Sequence, residues 1–541
     1  MDHSSIHDAF AATADRTPGR DFLVTEAVTA QAYGIPEGTA TWRQAREQVE
    51  RLRRAYAEAG WGHGHRVGLL LENRPAFLYH WLALNALGVS VVPVNAEMRL
   101  AELSYLIGHS EVGLIVSLPQ RLDDLREAAR EAGRSVRTMT ADDLPVPPPA
   151  SPAPLAGMPV GSGTECALLY TSGTTGRPKG CMLDNAYFLR AGQWYSELGG
   201  VCAYRRDQER VMTPLPLNHV NAMAFSTMVV LVAGGCLIQL DRFHPKSWLE
   251  SARVCGATIV HYLGVMPAML LSAPPAADRD HRIRWGFGAG VDKKNHAPFE
   301  ERFGFPLVEA WAMTETGAAA CIMADKEPRH VGTSCFGRCE DFVQIRLVDD
   351  AGSDVPDGTP GELLVRSSGG DPRRYFFRGY LKDEAATDAA WADGWFHTGD
   401  VVCRDGEGSL YFVDRKKNVI RRSGENIAAV EVESVLNRHP AVRLSAVAAA
   451  PDEVRGDEVM ACIVLNENAG VAADESLAQS IVRHALAQLA YYKAPGYVAF
   501  VDALPLTTSQ KIQRGALKQL ALSLLSEGGC FDTRSMKRRQ V

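Results

Sequence analysis

No apolar run in this chain is long enough to cross a bilayer. The best candidate, Met228 to Leu240, is too short and is interrupted by Gly234 and Gly235, so it reads as buried core and no membrane span is expected. The opening Met1-Asp2-His3-Ser4-Ser5 lacks the basic-then-apolar pattern of a cleaved leader, which points away from export. A disulfide framework is missing too. The eleven cysteines are odd in number and scattered, as expected of a protein kept in a reducing cytoplasm. Cys335 and Cys339 have no second Cys or His pair nearby to complete a structural zinc site. Nor is there an excess of positive charge: the formal net charge of −7 argues against nucleic acid as a partner. The Arg-rich stretch from Arg534 to Arg539 is the exception, and it reads as a solvated, mobile terminus.

With 541 residues, 46% of them hydrophobic and 22% charged, the chain exceeds what one core usually serves, so two or more domains are expected. Thr41-Trp42-Arg43-Gln44 has the form of a capping box. Trp42, Ala45, Val49, Leu52 and Tyr56 then recur at helical spacing until Gly60. Arg66 to Glu72 reads as a short strand, Pro75 opens a helix to about Leu87, and Val89 to Val94 is a second buried strand. A helix near Leu100 to Gly108 and a strand at Val112 to Ser117 continue the alternation, so a largely parallel sheet covered by helices is the simplest fold here. Leu144 to Gly161 is proline-rich and aperiodic, a linker or surface excursion.

A run of charge at Tyr411-Phe412-Val413-Asp414-Arg415-Lys416-Lys417 marks the better boundary. Beyond it Val430 to Arg438 and Ser476 to Leu489 have helical spacing, while Val442 to Ala449 and Glu458 to Leu465 read as strands. The expected architecture is α/β: a large N-terminal domain over residues 1–414 with helix-covered mixed sheets, and a small mobile α+β C-terminal domain over 415–541.

The most telling feature is Tyr170-Thr171-Ser172-Gly173-Thr174-Thr175-Gly176-Arg177-Pro178-Lys179-Gly180, directly after the apolar run Ala167 to Tyr170. Glycines let a backbone approach a polyphosphate, Ser and Thr hydroxyls donate hydrogen bonds, and Arg177 and Lys179 offset charge. It is not a Walker loop, since Gly180 follows Lys179 where that motif needs Ser or Thr. The string resembles the ATP-phosphate loop of the adenylate-forming superfamily of acyl- and aryl-CoA ligases, peptide-synthetase adenylation domains and luciferases. Further motifs of that family recur in order over nearly the whole chain.

The resemblance implies a role for each. Leu215-Pro216-Leu217-Asn218-His219 is similar to the segment whose His borders the acyl pocket. Gly288-Ala289-Gly290 resembles a turn lying along the adenine and acyl sites, where glycine permits close approach. Ala310-Trp311-Ala312-Met313-Thr314-Glu315-Thr316-Gly317 resembles the adenine- and magnesium-binding segment, with Trp311 where Tyr is usual and Ala312 where most relatives carry Gly. There Trp311 would stack on adenine, Thr314 would contact phosphate, Glu315 would hold Mg²⁺ as a hard oxygen ligand, and the Ala312 methyl would trim the acyl pocket. Gly394-Trp395-Phe396-His397-Thr398-Gly399-Asp400 looks like the ribose motif, with Asp400 accepting from both ribose hydroxyls. Asp414-Arg415 resembles the following ribose and hinge motif, with Lys416 and Lys417 near the swivel. Ser423-Gly424-Glu425-Asn426 is similar to the thioesterification segment, whose Gly424 would leave room for the pantetheine arm. Pro505 to Arg514 resembles the terminal lysine motif, in which Lys511 would stabilise charge during attack on the α-phosphate, with Gln510 in place of the usual Gly.

Two half-reactions follow from the resemblance: a carboxylate attacks ATP to give acyl-adenylate and pyrophosphate, then CoA displaces AMP. The implied cofactors are ATP, Mg²⁺ and CoA, and the partner is a carboxylic acid. The likeness is best to crotonobetaine/carnitine-CoA ligases, across Tyr411 to Arg415 and Gly424 to Asn426. Two rivals are an adenylation enzyme that loads a carrier protein and a nucleotide-binding relative that cannot adenylate. No carrier domain follows, and the His219 segment offers no acidic partner for an α-amine. Intact Lys179, Glu315, Asp400 and Lys511 speak against the second rival. The acid and the oligomeric state, a homodimer included, stay open.

Overall fold

Thr41 caps the helix Trp42–Glu58 with its side chain while Gln44 reaches back to the Thr41 amide, the reciprocal box that the sequence predicts. Such a box satisfies two amides that otherwise lack partners in the first turn, worth about 1 kcal/mol. The helix buries Trp42, Ala45, Val49, Leu52 and Tyr56 along one stripe. The structure is a computed structural model that describes residues 3–148, 158–171, 177–291, 293–349, 351–415, 419–466, 472–505, 512 and 514–538. By contacts it divides into two units. One holds Met1–Ala96, Ile107–Leu169 and Gly180–Val413; the other holds Glu97–Leu106, Tyr170–Lys179 and Asp414–Val541.

The larger unit carries two sheets. In the six-stranded one the neighbours Arg137–Thr140, Leu114–Ser117, Arg66–Leu70, Ser90–Pro93 and Glu165–Thr171 pair in parallel, followed by Lys179–Asp184. The central strands Leu114–Ser117, Arg66–Leu70 and Ser90–Pro93 are almost entirely buried, as parallel strands inside a sheet are. The helices Pro75–Asn85 and Leu100–Ser110 and the strands around them lie within a few residues of the predicted bounds. The second sheet has 14 strands and is mixed. Its parallel part runs Asp21–Thr25, Cys236–Gln239, Arg210–Thr213, Ile259–Leu263, Trp285–Ala289, Leu307–Trp311, and antiparallel strands continue it from Ile322–Met323 to Val343–Val348. Met228 to Leu240 is core, split by its glycines into the helix Thr227–Ala233 and the strand Cys236–Gln239. In the proline-rich excursion, Trp61 Nε1 donates to the Val146 carbonyl at 2.8 Å; residues 149–157 lie outside the described ones.

The C-terminal segment forms a six-stranded sheet in the order Glu425–Ala428, Val419–Arg422, Gly456–Leu465, Tyr497–Phe500, Phe531–Asp532, with Val442–Asp452 also paired to Gly456–Leu465. Alternation along Gly456–Leu465 serves both faces. Val459, Ala461 and Ile463 join a core with Val432, Leu436, Ile481 and Val482 of the helices Ala429–Leu436 and Glu475–Leu486. Met460, Cys462 and Val464 join another with Leu517 and Ala521 of Arg514–Ser526.

The stretch expected to be a solvated terminus is not one. Phe531–Asp532 pairs antiparallel with Tyr497–Phe500, in register Val498↔Phe531. Arg534 bonds Asp532 and Asp452 and lies 4.9 Å from the Tyr497 ring centre. Lys537 is fully buried against Glu458, which also takes Arg422 Nε at 2.8 Å. Acids far away in sequence receive these cations, so a charge run is held down and not left in solvent. Arg539 lies outside the described residues. Among the described residues no helix is long and apolar enough to cross a membrane, and all eleven cysteines are free thiols.

Candidate active site

Four neighbouring parallel strands, Arg210–Thr213, Ile259–Leu263, Trp285–Ala289 and Leu307–Trp311, end side by side, and the predicted segments begin where they end. The carboxyl ends of parallel strands are where open α/β sheets place ligands. After the first strand, Leu215 and Leu217 are buried and stapled by Asn73, which donates to the Leu215 carbonyl at 3.1 Å and accepts from the Leu217 amide at 2.9 Å. His219 is half-buried and its carbonyl accepts from the Met223 amide at 3.1 Å, at the entry to the π-helical turn Asn221–Ser226. Such wide turns concentrate at functional sites. Asn221 is tied to the fully buried His261 at 2.6 Å. Burial pushes the His261 imidazole down to about 3, so it is neutral.

Gly288, Ala289 and Gly290 close the third strand. A Cβ on Gly288 would lie 2.3 Å from the Tyr262 carbonyl oxygen, so only glycine fits the approach of these two strands. The turn is held by Glu309, which motif reading missed. Its carboxylate accepts from the Gly290 amide at 2.8 Å, the Val291 amide at 3.2 Å and the Tyr262 hydroxyl at 2.8 Å. Burial raises its pKa against the pull of these donors. The available signal was a Glu inside the otherwise apolar strand Leu307–Trp311.

Trp311, two residues on, is buried and donates its indole N–H to Asp400 Oδ2 at 2.8 Å. Asp400 is buried too. Its amide donates to Thr398 Oγ1 at 3.0 Å, and that hydroxyl donates to the Leu363 carbonyl at 2.7 Å. Ala312 is partly buried against the core. The Thr314 carbonyl accepts from Tyr187 OH at 2.9 Å, and Glu315 Oε1 accepts from Tyr380 OH at 2.9 Å. Burial, then the Glu315 charge, drives the Tyr380 phenol pKa up, keeping it a donor. Gly317, at φ 48°, closes the turn against the Tyr187 ring, where a Cβ would meet carbon at 2.5 Å. Glu315 fits a magnesium ligand by chemistry. It is a buried hard-oxygen carboxylate that follows Thr314 in the chain. A single carboxylate is the kind of ligand Mg²⁺ takes beside phosphate oxygens and water.

The phosphate string lies between the strands Glu165–Thr171 and Lys179–Asp184. Thr171 ends the first and Lys179 opens the second; Ser172, Gly173, Thr174, Thr175 and Gly176 lie outside the described residues. Arg177 lies 5.5 Å from the Tyr105 ring centre, and Tyr105 OH donates to the Pro178 carbonyl at 2.9 Å. The following helix supplies Tyr187, which links this strand pair to Thr314. Arg415 ends the strand Ser409–Arg415; its side chain, and Lys416, Lys417, Gln510 and Lys511, lie outside the described residues.

In the other unit Ser423 and Gly424 form the two-residue turn between Val419–Arg422 and Glu425–Ala428, paired Arg422↔Glu425. Their φ values are 50° and 89°, as a type I′ hairpin requires. The structure thus bonds Trp311 to Asp400 directly and ties the Gly288–Gly290 turn to Glu309, which lies two residues before Trp311 on the same strand.

Comparison with known proteins gives the following. Residues 10–381 match the family described as AMP-binding enzyme, and residues 431–511 match the AMP-binding enzyme C-terminal domain. The crotonobetaine/carnitine–CoA ligase of Shigella flexneri is 30% identical over 493 residues, covering 88% of this chain and 93% of the relative. The enzyme of the same name from Escherichia coli O139:H28 (strain E24377A / ETEC) is also 30% identical, with the same coverage of 88% and 93%. Among solved structures, o-succinylbenzoate CoA synthetase from Bacillus subtilis, a double mutant bound with its product analogue, superposes with a TM-score of 0.80 at 25% identity over 94% of this chain and 98% of that one. A malonyl-CoA ligase with methylmalonyl-CoA and AMP bound gives a TM-score of 0.72 at 26% identity, over 90% and 96%.

Proposed function

We infer the function of this chain from its family: it belongs to the AMP-binding enzymes, the adenylate-forming superfamily of acyl- and aryl-CoA ligases. It is an ATP-dependent carboxylate–CoA ligase of the AMP-forming kind. A carboxylate oxygen of the acid attacks the α-phosphorus of ATP, the bond to the bridging oxygen breaks, and pyrophosphate leaves. The thiolate of CoA then attacks the acyl carbon of the adenylate, and AMP departs with the bonding pair. One observation carries this above the others: His219, Gly288–Gly290 and Trp311–Glu315 follow the carboxyl ends of neighbouring parallel strands, with Asp400 bonded to Trp311.

The roles are assigned as follows. Thr171, Ser172, Gly173, Thr174, Thr175, Gly176 and Lys179 cradle the phosphates, and Thr314 contacts them. Asp400 and Arg415 take the ribose. Gly288, Ala289 and Gly290 lie along the adenine and the acyl group, with His219 and Ala312 bordering the acyl pocket. Glu315 holds Mg²⁺, which when bound offsets charge on the phosphates. Lys511 stabilises charge at the α-phosphate in the first half-reaction, and Gly424 admits the pantetheine arm in the second. Residues 1–414 and 415–541 act as separate domains that swivel between the steps, in a reducing cytoplasm that suits the free thiols.

Acid-dependent pyrophosphate exchange over a panel of carboxylic acids, followed by trapping with CoA, tests the reading. Crotonobetaine and carnitine, the acids in the names of the relatives, head the panel. Exchange with one acid class and thioester formation from it is the expected result. No exchange with any acid sinks the ligase reading.

A further inference from the structure

The motif position of Trp311 suggests a flat surface for adenine, yet the indole carries a second feature that a phenyl ring lacks. Its one polar group is a donor only, and that donor is committed to Asp400 Oδ2 at 2.8 Å. The ring itself is 7% exposed and tilted against Phe336, with centres 6.3 Å apart, so packing fixes the direction of the N–H. Asp400 is 1% exposed. A carboxylate this deeply buried is strongly oriented by each donor it meets, because charge-assisted bonds gain strength where water is excluded. Its backbone is anchored separately, through Thr398 Oγ1 to the Leu363 carbonyl. The Thr398 bonds fix where the residue sits; the indole bond fixes one oxygen and with it the rotation of the carboxylate plane.

We propose that Trp311 is a positioning residue for ATP, its indole N–H setting the plane of the Asp400 carboxylate for the ribose hydroxyls. This rests on the reading that Asp400 binds ribose. Preorganisation of this kind acts on nucleotide binding and only where the ribose hydroxyls are present.

The test crosses enzyme with nucleotide. Wild type and Trp311→Phe are each assayed for acid-dependent pyrophosphate release from ATP and from 2′,3′-dideoxy-ATP. Trp311→Phe is expected to lower kcat/KM for ATP about tenfold, a loss of one bond to a charged group, chiefly through KM for ATP. KM for the acid and for CoA stays within about twofold. On the dideoxy nucleotide the Phe penalty is expected to shrink to about twofold or less, since the oriented carboxylate has nothing to receive. An equal penalty on both nucleotides, or none on either, overturns the proposal and leaves Trp311 a packing or adenine-contact residue. A wild type that uses both nucleotides equally well overturns the ribose reading of Asp400, and the proposal with it. If the Phe variant folds poorly, β-(3-benzothienyl)alanine at position 311 replaces N–H with sulfur in the same bicyclic shape, and the same outcomes apply.

Discussion

Two turns in this ligase are held in opposite ways. At Gly288–Gly290 a buried acid, Glu309, takes the turn's own amides directly. At Ser423–Gly424 the charges sit one step back: Lys537 and Arg422 share Glu458 beneath the strand, and the turn keeps its shape through two left-handed residues. The first arrangement fixes the backbone amides of the turn assigned to the nucleotide site. The second holds the base of a hairpin through Glu458 and its tip through main chain, the Ser423 amide donating to the Arg455 carbonyl at 2.9 Å. The turn assigned to one half-reaction is held by main chain, whereas the turn assigned to the nucleotide and acyl sites is held by an acid on its own amides.

The largest effect expected from breaking this contrast lies in the smaller unit. Lys511→Ala should lower acyl-adenylate formation by on the order of 10²–10³-fold while supplied acyl-adenylate and CoA still give thioester. Equal loss of both half-reactions in a folded variant removes Lys511 from its assigned step. Next comes Glu309→Gln, which turns an acceptor toward a donor against backbone N–H groups and should cost about 1–3 kcal/mol. Thermal unfolding and pyrophosphate exchange should both fall, and an unchanged exchange rate would mean the turn holds without its acid.

A smaller effect separates the two units by pH. In the larger one His80 and His261 are buried and neutral, pushed down to about 4 and about 3 by burial. Their folded pKa values lie below the unfolded value of about 6.5, so the stability they contribute is present above that pH and is lost as pH falls toward 4 and 3. In the smaller unit burial, then the Arg422 charge, and lastly Arg455, push Lys537 down to about 7 against the pull of Glu458. Two cations share one carboxylate there, so the lysine is the group that gives way. Its contribution is full above about 10.4 and is lost as pH falls through about 7. Lys537→Met should therefore leave stability at pH 6.5 unchanged or raise it by about 1 kcal/mol, and should flatten the alkaline side of the Tm profile. A variant that unfolds more easily at every pH would show that the ammonium is needed where it lies. The smallest effect is expected at Ala312: Ala312→Gly should shift preference toward longer acids by about 1 kcal/mol per methylene. An unchanged chain-length profile would place the pocket floor elsewhere.

Much of this was legible in the sequence, and the pattern of misses has a physical cause. Helical spacing found Trp42–Glu58 because periodicity reports which face is buried, and the capping box is local. The motifs singled out Trp311, Glu315, Asp400 and the glycines because each lies in a short string of characteristic chemistry. Neither route reports a partner. Trp311 meets Asp400 across 89 positions, Tyr187 meets Thr314 across 127, and Asn73 meets Leu217 across 144. The same blindness made Arg534 and Lys537 look solvated, since Asp452 and Glu458 lie 82 and 79 positions away. A buried Glu in an apolar strand was the one visible sign of such a partnership, at Glu309.

The strand Phe531–Asp532 also bears on how the molecule is made. Its partner Tyr497–Phe500 leaves the ribosome first, with an open edge of unpaired amides and carbonyls until residues 531–532 follow. Over that interval Glu458 and Arg422 lack the lysine that later joins them. Nascent chains that stall within it would present a sticky sheet border to one another, at a point when the larger unit, up to Val413, has already been made.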